Sequence, residues 1–251
     1  MLKRTIAVLL VGGVVLGAAG PVQSKKTSDA SYRPERVAKE PQWGGTDSPL
    51  RPGASLGGYC TFNFVYFEPG TKTKAPRAYI GTAAHCTDKL GEVVENPGLG
   101  PVGKVVYDSD LVKSTVDFSL IELDPAIVSQ TNPQVLGWEG PVGVVDIETI
   151  AMGDQLDIYG YGLLVGETEP TRPRYGYLFS WSQDEYQADM PAVNGDSGAP
   201  LIHHATGTAF GIISRYGLAV PPSTDMGPMM PWILQELRKA GFEKIQLAVV
   251  K

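Results

Sequence analysis

The chain has 251 residues, of which 43% are hydrophobic, and its formal net charge at pH 7 is −6. The acidic excess is concentrated after residue 50, and the sequence contains no stripe of Lys and Arg. This pattern lacks the electrostatic footprint of a nucleic-acid-binding protein, so we expect no nucleic acid partner. An acidic surface suits solubility outside the cell, but it does not identify a substrate.

The N-terminal segment predicts export. Lys3 and Arg4 precede an apolar run at residues 5–16, and small residues follow at 17–19. That order is typical of a secretory signal peptide, to which we assign residues 1–24. The run is short for a membrane-spanning helix and contains adjacent glycines, which leaves an uncleaved anchor as the weaker alternative. We therefore expect a secreted, extracellular protein with no stable membrane association once the signal is removed.

Residues 25–52 are rich in Pro, Ser, Lys and Gly and show no sustained apolar periodicity. This composition predicts a propeptide or flexible leader rather than a domain. The folded domain is then expected over residues 53–251. Its roughly 200 residues are enough for one domain or for two small joined barrels.

Short apolar runs between Gly- and Pro-rich turns predict eight β-strands in this domain. They are Tyr59–Tyr66, Arg77–Ala83, Val102–Tyr107, Phe118–Leu123, Gln155–Tyr161, Tyr175–Trp181, Ala199–His203 and Ala209–Ser214. Strands at this spacing favour an all-β barrel or sandwich. One helix is predicted at Pro231–Gly241, where Pro fits the first turn and Gly the C-terminal cap.

The segment 194–200 is the first candidate for chemistry. In it Ser197 stands between Asp196 and Gly198, and Gly195 precedes the pair. Glycines permit backbone conformations closed to other residues and leave room for a substrate to approach. Such a turn could present a nucleophilic hydroxyl beside free backbone N–H groups. An ordinary tight turn would use the same residue types, so the motif needs a base and a carboxylate elsewhere.

Only three histidines are available as a base. His203 and His204 are adjacent in a predicted strand, so their rings point to opposite faces and cannot both face Ser197. Polar positions of an edge strand explain them better than a metal site, since no Cys or third His supports the pair. His85 differs because it ends a small, strand-like apolar run and precedes Cys86.

The segments 82–86 and 195–198 resemble the histidine and serine motifs of the trypsin/chymotrypsin-like serine peptidases, and they occur in the family's order. The resemblance is closest to the bacterial secreted branch. It implies an all-β fold of two packed antiparallel six-stranded Greek-key barrels with a C-terminal helix. The family places an Asp before a short apolar strand between the two motifs, and Asp117 matches that position. Asp108, Asp110 and Asp124 are the competing carboxylates.

The resemblance also implies a role for each residue. Ser197 would attack the scissile carbonyl, His85 would move the proton, and Asp117 would orient the ring. The backbone N–H groups of Gly195 and Ser197 would form the oxyanion hole. In the family, the acid before the serine, here Asp196, pairs with a new N-terminal amine or with another internal partner. The apolar start that insertion of an amine requires does not occur near residues 32–38.

The same resemblance implies a disulfide between Cys60 and Cys86, the only two cysteines of the chain. Closing such a loop stabilises a fold by roughly 3.5 kcal/mol in the chain-entropy model. Two free buried thiols are the alternative, and the compartment decides between them.

Alignment to the serine motif predicts a substrate pocket without fixing its preference. The predicted substrate-binding residues are Pro191, Ala192, Asn194, Ser214, Arg215 and Tyr216. No acid stands at 191 or 192, where enzymes that prefer basic side chains carry one, and Asp189 is offset by two residues. Arg215 would make one wall positive and favour acidic or small residues, unless it faces solvent.

The predicted function is therefore that of a secreted serine endopeptidase, a hydrolase that acts through an acyl-enzyme. We expect a monomer with a polypeptide substrate, no cofactor and no metal. Two alternatives remain open from the sequence: a non-catalytic binding protein on the same scaffold, and an esterase that uses the same three side chains.

Overall fold

A computed structural model describes residues 40–162, 173–217 and 224–250. The described residues all belong to one compact unit. The predicted signal peptide, most of the predicted leader and the side chain of Tyr216 lie outside the described residues. No helix in the described part is long and apolar enough to cross a membrane.

The described residues form fifteen strands and two α-helices. In chain order they are Ser55–Leu56 (β1), Cys60–Thr61 (β2), Val65–Glu68 (β3), Arg77–Thr82 (β4), Val93–Asn96 (β5), Gly100–Asp108 (β6), Ser119–Leu123 (β7), Pro125–Val128 (α1), Gln155–Ile158 (β8), Arg174–Trp181 (β9), Glu185–Asp189 (β10), Pro200–His203 (β11), Thr208–Ile212 (β12), Arg215–Gly217 (β13), Thr224–Pro228 (β14), Met230–Lys239 (α2) and Gln246–Leu247 (β15). A 3₁₀ turn covers Ala84–Cys86.

The N-terminal half forms a six-stranded antiparallel sheet in the order β15-β3-β4-β7-β6-β5. The β1–β2 hairpin contacts the edge of this sheet that β5 forms, where Gly57 N–H donates to Glu95 O at 3.0 Å. Strand β4 is buried on both faces, since Ile80 packs inside this half and Tyr79 packs in a second cluster with α2. Burial of both faces explains why its sequence is a continuous apolar run rather than an alternating one.

The C-terminal half forms a seven-stranded antiparallel sheet in the order β12-β11-β8-β9-β10-β14-β13. An antiparallel bridge between Gly211 and Met229 joins β12 to the end of β14 and curls the sheet towards closure. Six strands were predicted for each barrel, and this half has a seventh because the three residues of β13 pair with β14. The all-β architecture of two packed antiparallel barrels with a C-terminal helix is confirmed.

Helix α2 packs between the two halves through Met230, Ile233, Leu234 and Leu237, which are all buried. The predicted helix ends are confirmed to within a residue or two. Pro lies in the first turn, and Gly241 follows the C-terminal end with a φ of +102°. That left-handed conformation is the one in which a glycine terminates a helix without strain.

Residues 43–52, which fall within the predicted leader, pack against the N-terminal half of the domain. Leu50 is fully buried in the N-terminal core, and its N–H donates to Gln130 O at 3.2 Å. The Trp43 ring packs edge-on against Phe67 with centroids 6.4 Å apart. The removal of a leader that ends at residue 52 stays a prediction, and its loss would also remove these contacts.

Candidate active site

Ser197 lies in a tight turn that needs both of its glycines. Gly195 has a φ of +102° and Gly198 a φ of +86°, a region that side chains disfavour. A Cβ on Gly198 would also lie 2.4 Å from Thr61 O, so the space is closed as well. The backbone conformation of this turn therefore requires glycine at both positions.

Strand β2 and Ile213, the residue after β12, hold this turn in place. Thr61 N–H donates to Ser197 O at 2.9 Å, and Thr61 Oγ1 donates to Gly195 O at 2.7 Å. Gly198 N–H donates to Ile213 O at 2.7 Å. Within the described residues, the N–H groups of Gly195 and Ser197 donate to no acceptor, although those of Asp196 and Gly198 do. The turn thus leaves two backbone donors beside the Ser197 hydroxyl.

His85 belongs to the 3₁₀ turn that follows β4, and its side chain is 44% exposed. Its Nδ1 lies 3.0 Å from Asp117 Oδ2, and its backbone N–H donates to Asp117 Oδ1 at 3.2 Å. Because an ionised carboxylate only accepts, the proton of a neutral ring lies on Nδ1, and Nε2 is left as the acceptor. No hydrogen bond joins His85 to Ser197, although both residues are described.

Asp117 precedes β7 with a φ of +45°, which is unusual for a residue other than glycine. Such backbone strain is found where surrounding contacts fix a side chain for function. Besides the two groups of His85, Ser214 Oγ donates to its carboxylate. Burial acts to raise the pKa of Asp117, but the hydrogen bonds from His85 and Ser214 outweigh it and hold this pKa below its ordinary value.

The hydrogen bond to Asp117 raises the pKa of His85 above its ordinary value, against the opposing effect of burial. The negative charges of Asp117 and Asp110 act in the same direction as the hydrogen bond. The shifts on the two partners agree, since each stabilises the charged form of the other.

A disulfide joins Cys60 to Cys86, with Cα atoms 6.3 Å apart. It anchors the His85 turn to β2, and Cys86 Sγ lies 3.9 Å from Ser197 O. One ring nitrogen of His85 lies within 4.8 Å of both sulfurs. The sulfurs are bonded to each other, so they are not available as thiolate ligands for a metal.

Asp196 forms a fully buried, two-pronged ion pair with Arg174. Arg174 Nη1 and Nη2 each lie 2.6 Å from one carboxylate oxygen, and the two side chains are 4% and 0% exposed. The N–H groups of Gly162 and Val193 also donate to Asp196, at 2.9 and 2.8 Å. The acid before Ser197 therefore has an internal partner. No local pattern pointed to Arg174 as this partner, because it is 22 residues away along the chain.

The competing carboxylates have other partners. Asp108 accepts from Thr87 Oγ1 at 2.8 Å, and Asp124 caps α1 by accepting from Ala126 N–H at 2.9 Å. Asp110 is exposed and acts on His85 only through its charge.

The other two histidines pair with carboxylates away from Ser197. His203 Nε2 lies 3.1 Å from Asp154 Oδ2, and His204 Nδ1 lies 2.7 Å from Asp157 Oδ2. The expectation of an edge strand was wrong, because β11 lies between β8 and β12. The two histidine rings are hydrogen-bonded to carboxylates and do not depend on exposure at the edge of the sheet.

The predicted pocket residues lie on two segments. Pro191, Ala192 and Asn194 precede the serine turn, where Ala192 is buried and the other two are exposed. Ser214 contacts Asp117 as described above, and Arg215 and Tyr216 belong to β13. Arg215 Nη2 forms an ion pair with Glu185 Oε1, so its charge is already compensated.

No protein-family model and no curated protein sequence matches the chain. Solved structures do match it. Protease A of Thermobifida fusca has a TM-score of 0.56 at 20% identity, over 80% of this chain and 99% of that one. A chymotrypsin of Cellulomonas bogoriensis has a TM-score of 0.54 at 17% identity, over 79% and 98%. The Nocardiopsis protease has a TM-score of 0.52 at 18% identity, over 79% and 98%. The chain therefore has the two-barrel fold of the bacterial chymotrypsin-like serine proteases.

Proposed function

We propose that the protein is a secreted serine endopeptidase that hydrolyses peptide bonds through Ser197, His85 and Asp117. The observation that carries the proposal is the partly buried Asp117 carboxylate, which accepts from both His85 Nδ1 and Ser214 Oγ. A neutral His85 ring with its proton on Nδ1 has Nε2 as its acceptor, and the adjoining Cys86 has its Sγ 3.9 Å from Ser197 O. An ordinary turn serine would need neither this pair nor two unused N–H groups beside it.

The proposed reaction follows from these contacts. His85 Nε2 takes the proton of Ser197 Oγ as that oxygen bonds to the substrate carbonyl carbon, and the charge on the carbonyl oxygen is held by the N–H groups of Gly195 and Ser197. His85 then gives the proton to the leaving amine, and water repeats the sequence on the acyl-enzyme. Catalytic hydrogen bonds are often long without substrate, so the gap between His85 and Ser197 is compatible with this role.

A fluorophosphonate probe tests the proposal, because it modifies only activated serine nucleophiles. The full chain, exported from a secreting host, is expected to carry the adduct on Ser197, as located by mass spectrometry of the peptide. Ser197→Ala should stay unlabelled, and Ser214 should carry no adduct in either protein. A correctly folded wild-type protein that is never labelled would contradict the proposal. N-terminal sequencing of the same material tests the proposed signal peptide and leader.

The pH dependence of kcat/KM is expected to report His85, because the base must be neutral to accept the Ser197 proton. A pKa raised above the ordinary value puts the acidic limb above about pH 6.5. Replacing Asp110 by Asn removes a charge that raises this pKa, so the limb should move to lower pH.

Asp47→Asn is the matched control for Asp110→Asn, since it removes the same charge from another exposed position. The limb should stay in place in that variant. An acidic limb that shifts equally in both variants, or in neither, would mean that a group other than His85 controls it.

A further inference from the structure

Asp225 is the one buried carboxylate of the described residues with no hydrogen-bond partner on either oxygen. It lies in the middle of β14, pairs with Ala188 of β10 and Tyr216 of β13, and is 0% exposed. It therefore lies on the face of β14 that packs into the C-terminal half, where the Tyr186 ring is also fully buried. Burying a carboxylate without donors is costly, so its retention calls for a partner.

The nearby cations are paired with other carboxylates, and the one buried donor left over among them, Arg174 Nε–H, makes no hydrogen bond to Asp225. Arg174 Nη1 and Nη2 both donate to Asp196, and Nη1 also donates to Pro191 O at 2.7 Å. Arg215 is paired with Glu185. Ala192 N–H donates to Met190 O at 2.9 Å, and it also acts on the Asp225 carboxyl to oppose the rise in its pKa that burial causes. Burial raises the pKa of Asp225 to about 7, and the nearby Asp196 and Asp189 charges add to the rise.

The surroundings of Asp225 connect it to both segments of the predicted pocket. On one side Ala192 belongs to the segment that leads to Ser197. On the other side β13 pairs with β14, and Ser214 N–H donates to Met226 O at 3.0 Å. Ser214 in turn contacts Asp117. Asp225 thus lies on the strand between β10, which leads into the segment before Ser197, and β13.

We propose that Asp225 is the specificity-determining residue of this pocket, and that its carboxylate receives the cationic group of a Lys or Arg on the acyl side of the scissile bond. The proposal rests on the proposed function and names its substrate class. Ala188 and Ala192 provide small apolar walls for the aliphatic stem, and the unpaired carboxylate provides the charge that the terminal group needs. The expected positive wall at Arg215 does not oppose this, because Glu185 neutralises it.

A binding experiment tests the proposal without catalysis. Benzamidinium, a flat cation, is titrated into Ser197→Ala of the full chain and compared with neutral benzamide of the same shape. We expect benzamidinium to bind on the order of 100-fold more tightly, because a buried charge pair contributes that much or more. Asp225→Asn in the same background should lose the difference. Asp189→Asn should keep it, since Asp189 is the nearby carboxylate that is exposed at the end of β10.

Equal binding of the two ligands to Ser197→Ala would overturn the proposal, even if Asp225→Asn did not fold. Peptides that differ only in the residue before the scissile bond give the second readout. We expect wild type to cleave after Lys and Arg with kcat/KM at least about 100-fold above that after Leu, Phe or Glu. Asp225→Asn should lose this preference and still react with the fluorophosphonate at Ser197. Preferred cleavage after Leu, Phe or Glu would refute the substrate class and leave the endopeptidase proposal standing.

Discussion

Replacing Asp117 by Asn is expected to lower kcat by about 10⁴-fold, the size of effect associated with loss of the carboxylate that orients a catalytic histidine. The Asp117 carboxylate accepts from His85 N–H, His85 Nδ1–H and Ser214 O–H, and an amide has only one acceptor oxygen for these donors. If the amide NH₂ faces Nδ1, the ring proton moves to Nε2. His85 then has no lone pair for the Ser197 proton. The measurement is kcat on a peptide amide substrate.

Asp110→Asn is the control for Asp117→Asn. It removes a carboxylate that acts on the same histidine, but one that makes no hydrogen bond to it. Its kcat at pH 8 should stay within a few-fold of wild type, and thermal unfolding should show that both variants are folded. A folded Asp117→Asn with nearly full activity would mean that Asp117 does not orient the base.

The sequence predicted the parts of the fold that have long apolar runs. Each of the eight predicted strands overlaps at least one observed strand, and helix α2 was placed correctly. The strands that were missed are short or polar. Strand β10 contains Glu185, Gln187 and Asp189, and β14 contains Gly and Pro. These segments are strands because neighbours on both sides supply their hydrogen bonds, which no local pattern records.

The residues of the candidate site also differ in whether a local pattern could identify them. His85, Asp117 and Ser197 were named because each lies in a short motif whose order along the chain is informative. Arg174 and Asp225 were not named, since each matters only through residues that the fold brings to it. Asp225 belongs to β14, one of the missed strands, so no local pattern could place it beside Ala192. The proposed chemistry was therefore more accessible from the sequence than the proposed specificity.

Replacing Arg174 by Met is expected to destabilise the protein by about 3–5 kcal/mol, because it leaves the Asp196 carboxylate buried without its cation. The two remaining donors, Gly162 N–H and Val193 N–H, cannot replace a two-pronged guanidinium at 2.6 Å. For a domain of this size the loss corresponds to a fall in Tm of roughly 10 °C. Activity should fall as well, since Asp196 lies within the turn that aims Ser197 and its two N–H groups.

Arg77→Met is the matched control, because Arg77 also forms a two-pronged ion pair, with Glu122 at 2.9 and 2.7 Å, but on the surface. Its side chain is 48% exposed, and an exposed pair contributes at most about 1 kcal/mol. Calorimetric unfolding of both variants gives the stability lost with each ion pair. Because both pairs are two-pronged, a difference between the losses reports the effect of burial. Combining Arg174→Met with Asp196→Leu should restore part of the lost stability, because no unpaired charge remains buried. A Tm for Arg174→Met no lower than that of Arg77→Met would mean that solvent or another group compensates Asp196, and that this ion pair does not hold the serine turn.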